Sequence, residues 1–203
     1  MKYIKILGLL AVAAAALMAF AGVASATTVT SPAGTKYLGE LHASSEGHAI
    51  LHNPIAKIEC NSTVNGHVEV NGAKDEKGNT LPASGEITTL TFSPCTDDWH
   101  VTTVTPGTLS IVSNGNGTGD LFSNGATVES TRFGVSCRYK TNNTTIGTVT
   151  SAVFDKEGKE VTNATLHIQA NIPFHSGSFL CGSGATSWTG SYIINSPKGV
   201  VID

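Results

Sequence analysis

The chain has 203 residues, 40% hydrophobic and only 13% charged, with twelve Lys and Arg against fifteen Asp and Glu for a formal net charge of −3. No basic cluster offers the phosphate-neutralising face that a nucleic-acid partner requires, and the same shortage removes electrostatic docking on anionic lipid. Two Trp, four Tyr and seven Phe are too few for the paired aromatic girdles of an outer-membrane barrel.

The N-terminus reads as a leader. Lys2 and Lys5 supply positive charge, Ile6 to Val23 is almost wholly apolar, and Ala24-Ser25-Ala26 is a small-x-small cleavage site. That order predicts a signal peptide over 1–26 and a secreted protein, extracellular or at the cell surface, over 27–203. The apolar run has the length of a membrane span, but its extreme position, the cleavage motif and the polar Thr27-Thr28 after it favour a leader. No second apolar run of that length follows, so the mature chain is not expected to insert into a membrane.

Beyond the leader, Gly, Thr, Ser and Asn dominate and no stretch carries apolar residues at helical spacing. Short alternating runs rich in Thr and Val, bounded by Gly, Asn and Pro, predict strands throughout. In chain order they are Lys36 to Ala43, a hairpin partner at His48 to His52, Ala56 to Cys60, Gly66 to Val70, Glu86 to Phe92, His100 to Thr105 and Leu109 to Val112. Ser113-Asn114-Gly115-Asn116-Gly117 is the most turn-rich stretch. After it come Asp120 to Ser123, Ala126 to Thr131, Val135 to Tyr139, Thr145 to Ala152, Ala164 to Ala170, and a last pair around Pro197-Lys198-Gly199. The fold class is therefore all-β, an antiparallel β-sandwich or closed barrel.

The order of landmarks is written twice. A cysteine, a strand opened by glycine, a charged tip, a returning strand and a second cysteine run from Cys60 to Cys95, and again from Cys137 to Cys181. The charged tips are Lys74-Asp75-Glu76-Lys77-Gly78 and Asp155-Lys156-Glu157-Gly158-Lys159. A Trp follows each second cysteine, Trp99 and Trp188. The echo predicts two pseudo-repeats, about 34–113 and 117–203. Four cysteines in an exported chain predict two disulfides, with three connectivities open. A duplicated unit carrying its own staple favours Cys60–Cys95 and Cys137–Cys181, each removing roughly 4 kcal/mol of unfolded-chain entropy on the loop-closure model.

Glu46-Gly47-His48-Ala49, Ile58-Glu59-Cys60-Asn61, Leu90-Thr91-Phe92 ahead of Cys95, Thr141-Asn142-Asn143-Thr144, and Phe179-Leu180-Cys181-Gly182 with Trp188-Thr189-Gly190-Ser191-Tyr192 resemble a group of secreted proteins from high-GC Gram-positive bacteria. The resemblance covers most of the mature chain. It implies export and two cysteine pairs, and it brings no catalytic motif and no functional residues.

Chemistry is concentrated at Thr96-Asp97-Asp98-Trp99-His100. On a strand, Asp98 and His100 share a face about 6.6 Å apart, and an adjacent Trp offers a surface for a sugar ring. Asp98, Trp99, His100, Trp188 and Tyr192 are the candidate ligand-binding residues. His48 and His52 lie four strand residues apart, about 13 Å, too far for one ion to hold both, so no metal site is expected. No catalytic residue, nucleophile elbow or phosphate-binding loop is read, and no cofactor is expected. The leading expectation is a non-enzymatic binding or structural protein of the cell envelope or extracellular matrix, with a polysaccharide or cell-wall polymer as partner. The alternatives are a secreted hydrolase with a dispersed acid site and a protease inhibitor using Pro173 to Ser187 as its loop.

Overall fold

The computed structural model describes residues 27–203; the expected signal peptide lies outside the described residues. The fold is all-β, and of the two expected architectures it is the closed barrel. Eight antiparallel strands close on themselves: β2 (Gly39–Asn53), β3 (Ala56–Val70), β4 (Ala83–Cys95), β6 (Thr108–Ser113), β7 (Thr118–Asn124), β10 (Thr144–Thr150), β13 (Thr165–Ile172) and β15 (Thr186–Ser196). Each pairs with the next barrel strand in the chain, and β15 returns to β2.

The other strands fall at the two ends. β5 (His100–Thr105), β8 (Thr127–Arg132), β9 (Val135–Lys140) and β14 (Phe174–Gly177) form a crown sheet over one end, in the spatial order β14-β9-β8-β5. They are excursions from the barrel, inserted between β4 and β6, between β7 and β10, and between β13 and β15. At the other end, β1 (Val29–Thr30) pairs with β16 (Val201–Ile202), while β11 (Val153–Phe154) and β12 (Glu160–Thr162) make a small hairpin. Val29, Val200 and Ile202 are buried, so the two chain ends together stopper the barrel. Asn71 clamps this stopper: its side chain accepts from the Val29 amide at 2.9 Å and donates to the Val29 carbonyl at 2.6 Å.

β4 joins barrel to crown. Its first residues, Ala83 to Glu86, pair with β6 and close the barrel; farther on, Phe92 pairs with Val101 of β5. Between these, the Ile87 amide donates to the Gly107 carbonyl at 3.0 Å and the Thr103 hydroxyl donates to the Leu90 carbonyl at 2.6 Å. The outer edge of β4 thus stays satisfied as its partner changes. Gly107 makes the change possible: its φ is +73°, and a Cβ there would lie 2.4 Å from the Ala126 nitrogen.

Strict alternation does not account for every strand. In β4 a register shift lets Ile87 and Leu90 both face inward, although three apart, with Thr88 and Thr89 outside. The expected hairpin between Ala43 and His48 is absent. β2 runs straight through as fifteen residues, with a bulge where its pairing with β3 jumps from Ser44 to Ala49. Gly47 takes φ +75° there, and the Ser45 hydroxyl accepts the Ser62 amide at 3.0 Å. Polar, glycine-bearing Ser44-Ser45-Glu46-Gly47 reads as a turn, but β3 and β15 flank it on both sides and hold it as strand. The expected break after Cys60 is likewise continuous strand. Thr63 bonds Thr91 at 2.6 Å and Asn65 bonds Thr89 at 2.7 Å, a polar ladder along the outer wall.

Both disulfides are those the echo favours, Cys60–Cys95 and Cys137–Cys181. Their settings differ. Cys60 and Cys95 are register partners on neighbouring strands, with Cα atoms 4.1 Å apart. Cys137 on β9 instead anchors the 3₁₀ turn Phe179–Cys181 that follows β14.

Candidate functional site: the crown edge

Three turns meet at one end of the crown. The 3₁₀ turn Thr96–Asp98 precedes β5, Phe133-Gly134 joins β8 to β9, and the 3₁₀ turn Phe179–Cys181 follows β14. The register brings them together: His100 faces Thr131, Arg132 faces Val135, and the Ser178 amide donates to the Ser136 carbonyl at 2.8 Å.

Two features set this edge apart. Asp97, Asp98 and Phe133 all have positive φ, at 55°, 55° and 49°. Such values are uncommon outside glycine and are an outlier for a bulky ring. The largest apolar exposures are here too: Phe179 at 90% and Phe133 at 84%, with Leu180 beside them at 48%. The β8–β9 turn puts both central residues at positive φ, a geometry that selects Asn-Gly or Asp-Gly; this chain has Phe133-Gly134. The Arg132 guanidinium lies 4.6 Å from the Phe133 ring centre and 6.0 Å from that of Trp99, bridging the exposed ring to the buried one.

The outer face of the crown carries polar groups. His100, Thr131, Ser136, Glu129 and Arg138 project from it in adjacent registers. Glu129 accepts from the Ser136 hydroxyl and lies 3.2 Å from Arg138 Nε. The Ser136 hydrogen bond, and then Arg138, hold the Glu129 carboxyl below the usual carboxylate range.

The residues singled out from the sequence divide sharply. Trp99, Trp188 and Tyr192 are buried at 7%, 8% and 1% exposure, so none is a surface platform for a sugar. Trp99 packs under the crown edge. Trp188 and Tyr192 stand edge to face inside the barrel, ring centres 6.2 Å apart, and Phe92 meets Trp188 at 6.0 Å. Asp98 and His100 are exposed and do lie at this edge, but not as neighbours on one strand face, because Asp98 belongs to the 3₁₀ turn. Phe133 and Phe179 were missed. The signal for Phe133 was an aromatic residue directly before glycine in a tight hairpin.

A second surface lies on the outer barrel wall, a depression of ≈380 Å³ with Asp120, Thr148, His167 and Ser191 in its lining. Asp120, Thr148, His167 and Ser191 cross it as a single cross-strand row. His167 Nδ1 is 3.3 Å from the Ser191 hydroxyl. Asp120 is two strands from His167, about 9–10 Å by strand spacing, too far to orient the imidazole. The row is a polar wall rather than a proton relay. His48 and His52 both point outward from β2, and among the described residues no three His, Cys, Asp or Glu gather to hold a metal ion. Among the described residues no helix is long and apolar enough to cross a membrane.

These features define a disulfide-bonded, crowned eight-strand barrel. No family model, curated protein or solved structure matches the chain.

Proposed function

We propose that this is an exported, non-catalytic binding protein of the cell envelope or extracellular matrix, and that the crown edge is its binding surface for a polysaccharide or cell-wall polymer. Export rests on the leader and the disulfides, and kinship with the secreted group rests on the motifs that carry the resemblance, from Glu46-Gly47-His48-Ala49 to Trp188-Thr189-Gly190-Ser191-Tyr192. The observation that carries the reading is Phe133, a bulky ring kept in the left-handed region with 84% of its surface exposed. That choice serves neither the turn nor the core, and local rules broken without a folding gain concentrate at functional sites. In this reading Phe133 and Phe179 stack on sugar faces while Asp98 and His100 hydrogen-bond hydroxyls. The doubled order of landmarks belongs to the same reading, as the origin of a barrel that takes four strands from each half.

The experiment is co-sedimentation of the mature, oxidised protein with its own cell walls and a set of insoluble polysaccharides. Saturable binding to one material is expected, weakened about tenfold by Phe133→Ala and again by Phe179→Ala, as for aromatic anchors. Equal binding by the folded double variant sinks the reading. Release of soluble sugar that Asp98→Asn abolishes would make the protein a hydrolase instead. The inhibitor reading uses Pro173 to Ser187 as a rigid, disulfide-flanked loop; within it Phe174–Gly177 is a strand paired with β9 and Phe179–Cys181 is a 3₁₀ turn, which favours the polymer reading over a free reactive loop.

A further inference from the structure

The depression on the outer barrel wall crosses four neighbouring strands, β7, β10, β13 and β15. Its volume, ≈380 Å³, lies within the range of small-molecule sites, roughly 300–1,000 Å³. Two lines of side chains border it. Asp120, Thr148, His167 and Ser191 form the first, each in register with the next. The second lies one step nearer the crown. There Thr145 pairs with Phe122, and Gln169 stands two residues beyond His167 on β13.

The lining decides the class of ligand. It holds no Lys or Arg, so an anion finds no counter-charge. One carboxylate and one imidazole fall short of a metal site, and among the described residues no three ligating side chains gather. The outward side chains are all polar, which gives a hydrocarbon little to gain. What they offer is mixed: the Asp120 carboxylate accepts, the Thr145, Thr148 and Ser191 hydroxyls donate or accept, and the Gln169 amide does both. A neutral molecule with several hydroxyl groups matches that mixture. Phe122 is the second observation. Gly119, Leu121 and Ser123 are buried, so Asp120 and Phe122 face outward together, about 7 Å apart along β7. The Phe122 ring is not among the side chains packed on the hydrophobic core, and its cross-strand neighbours are the short residues Ser110 and Thr145. A Thr there would serve the wall as well. A ring beside a row of hydroxyl-pairing groups is what a sugar requires, an apolar face to stack on and partners at its rim.

We propose that this part of the barrel wall binds a short neutral saccharide. One sugar ring lies against Phe122 and Thr145, and its hydroxyls, or those of a second ring, pair with Asp120, Thr148, His167 and Gln169. The site is separate from the crown edge and does not rest on the reading of that edge.

The test is an NMR titration of the ¹⁵N-labelled mature protein with maltose, cellobiose and the disaccharide of N-acetylglucosamine, and with glucose phosphate as the anionic comparison. The backbone amides of Asp120, Phe122, Thr148, His167 and Gln169 report on the wall, and those of Phe133 and Phe179 on the crown edge. Saturable shifts at the wall amides are expected with at least one neutral disaccharide, and weaker binding of glucose phosphate. Phe122→Ala is expected to raise the dissociation constant about tenfold, as for the loss of a stacking ring. Gln169→Ala changes an exposed side chain and is expected to raise it severalfold; should Phe122→Ala fail to fold, Gln169→Ala decides alone. Phe133→Ala is expected to leave wall binding unchanged. Shifts confined to the crown amides would overturn the wall site and leave the crown reading standing. No saturable shift with any of the three disaccharides, equal or tighter binding of glucose phosphate, or unchanged affinity in the folded Phe122→Ala variant likewise overturns the proposal.

Discussion

Barrel and crown share one hydrophobic core, yet they spend their residues differently. The barrel closes on itself, and its two longest strands run fifteen residues. It keeps these aromatic rings inside: Trp188 meets both Phe92 and Tyr192 edge to face. The crown has short strands, ends in the four-residue edge strand β14, and turns Phe133 and Phe179 out to solvent. Among the described residues, three of the four non-glycine residues with positive φ are at its edge. Closure removes sheet edges and makes the barrel the stable unit. The crown, strained and open, is where the chain tolerates local cost, and the same division locates the stability of the molecule in one region and its surface chemistry in the other.

The largest effect expected lies in the barrel. Trp188→Ala removes a ring that meets both Phe92 and Tyr192, and it is expected to destabilise by about 3–5 kcal/mol in a denaturant titration. A loss below about 1 kcal/mol would show that the barrel interior is not the main source of stability. The disulfides divide along the same line. Replacing Cys60 and Cys95 by Ala cuts a staple between barrel neighbours and is expected to lower unfolding free energy by about 2–4 kcal/mol. Replacing Cys137 and Cys181 frees the Phe179 turn from β9. Amide exchange is expected to quicken in the crown while barrel strands keep their protection. Uniform loss of protection in both variants would make barrel and crown one cooperative unit and break the comparison.

A smaller effect concerns pH. The folded-state pKa of Glu129 is depressed by Ser136 and Arg138. Its contribution to stability is therefore complete above the unfolded carboxyl value, about 4.3, and is lost as pH falls through the lower folded value. Glu129→Gln is expected to flatten the acid limb of the stability profile below about pH 4.3 and to leave neutral-pH binding of polymer unchanged. An unaltered acid limb would place the acid sensitivity elsewhere, for instance at Asp75, whose carboxyl is held low by Asn79.

The sequence made the architecture legible where pattern is local. Alternation, turn residues and the cysteine echo gave the all-β class and both disulfides. What failed was non-local. Ser44 to Gly47 has the composition of a turn, and only the strands on both sides turn it into a bulge. Trp99, Trp188 and Tyr192 looked like ligand-stacking residues because Trp and Tyr serve both cores and surfaces; nothing along the chain says which face of a closed barrel they occupy. The exposed pair, Phe133 and Phe179, are forty-six residues apart and belong to different crown excursions, so only the fold assembles them.

The smallest predicted change in stability is the most telling, because its sign matters more than its size. Asn tolerates the left-handed region far better than Phe, and a two-residue hairpin with positive φ at both positions selects Asn-Gly. If Phe133 were present for the turn, Phe133→Asn would be neutral or harmful. If the ring is there for a partner, the substitution relieves backbone strain and gives up little packing, since the side chain is already in water. Phe133→Asn is expected to raise stability by about 1 kcal/mol or less while weakening polymer binding about as much as Phe133→Ala. A gain in stability with a loss of binding is the trade-off that separates a functional residue from a merely tolerated one. A loss in stability would mean that the ring, through its contact with Arg132, belongs to the fold after all.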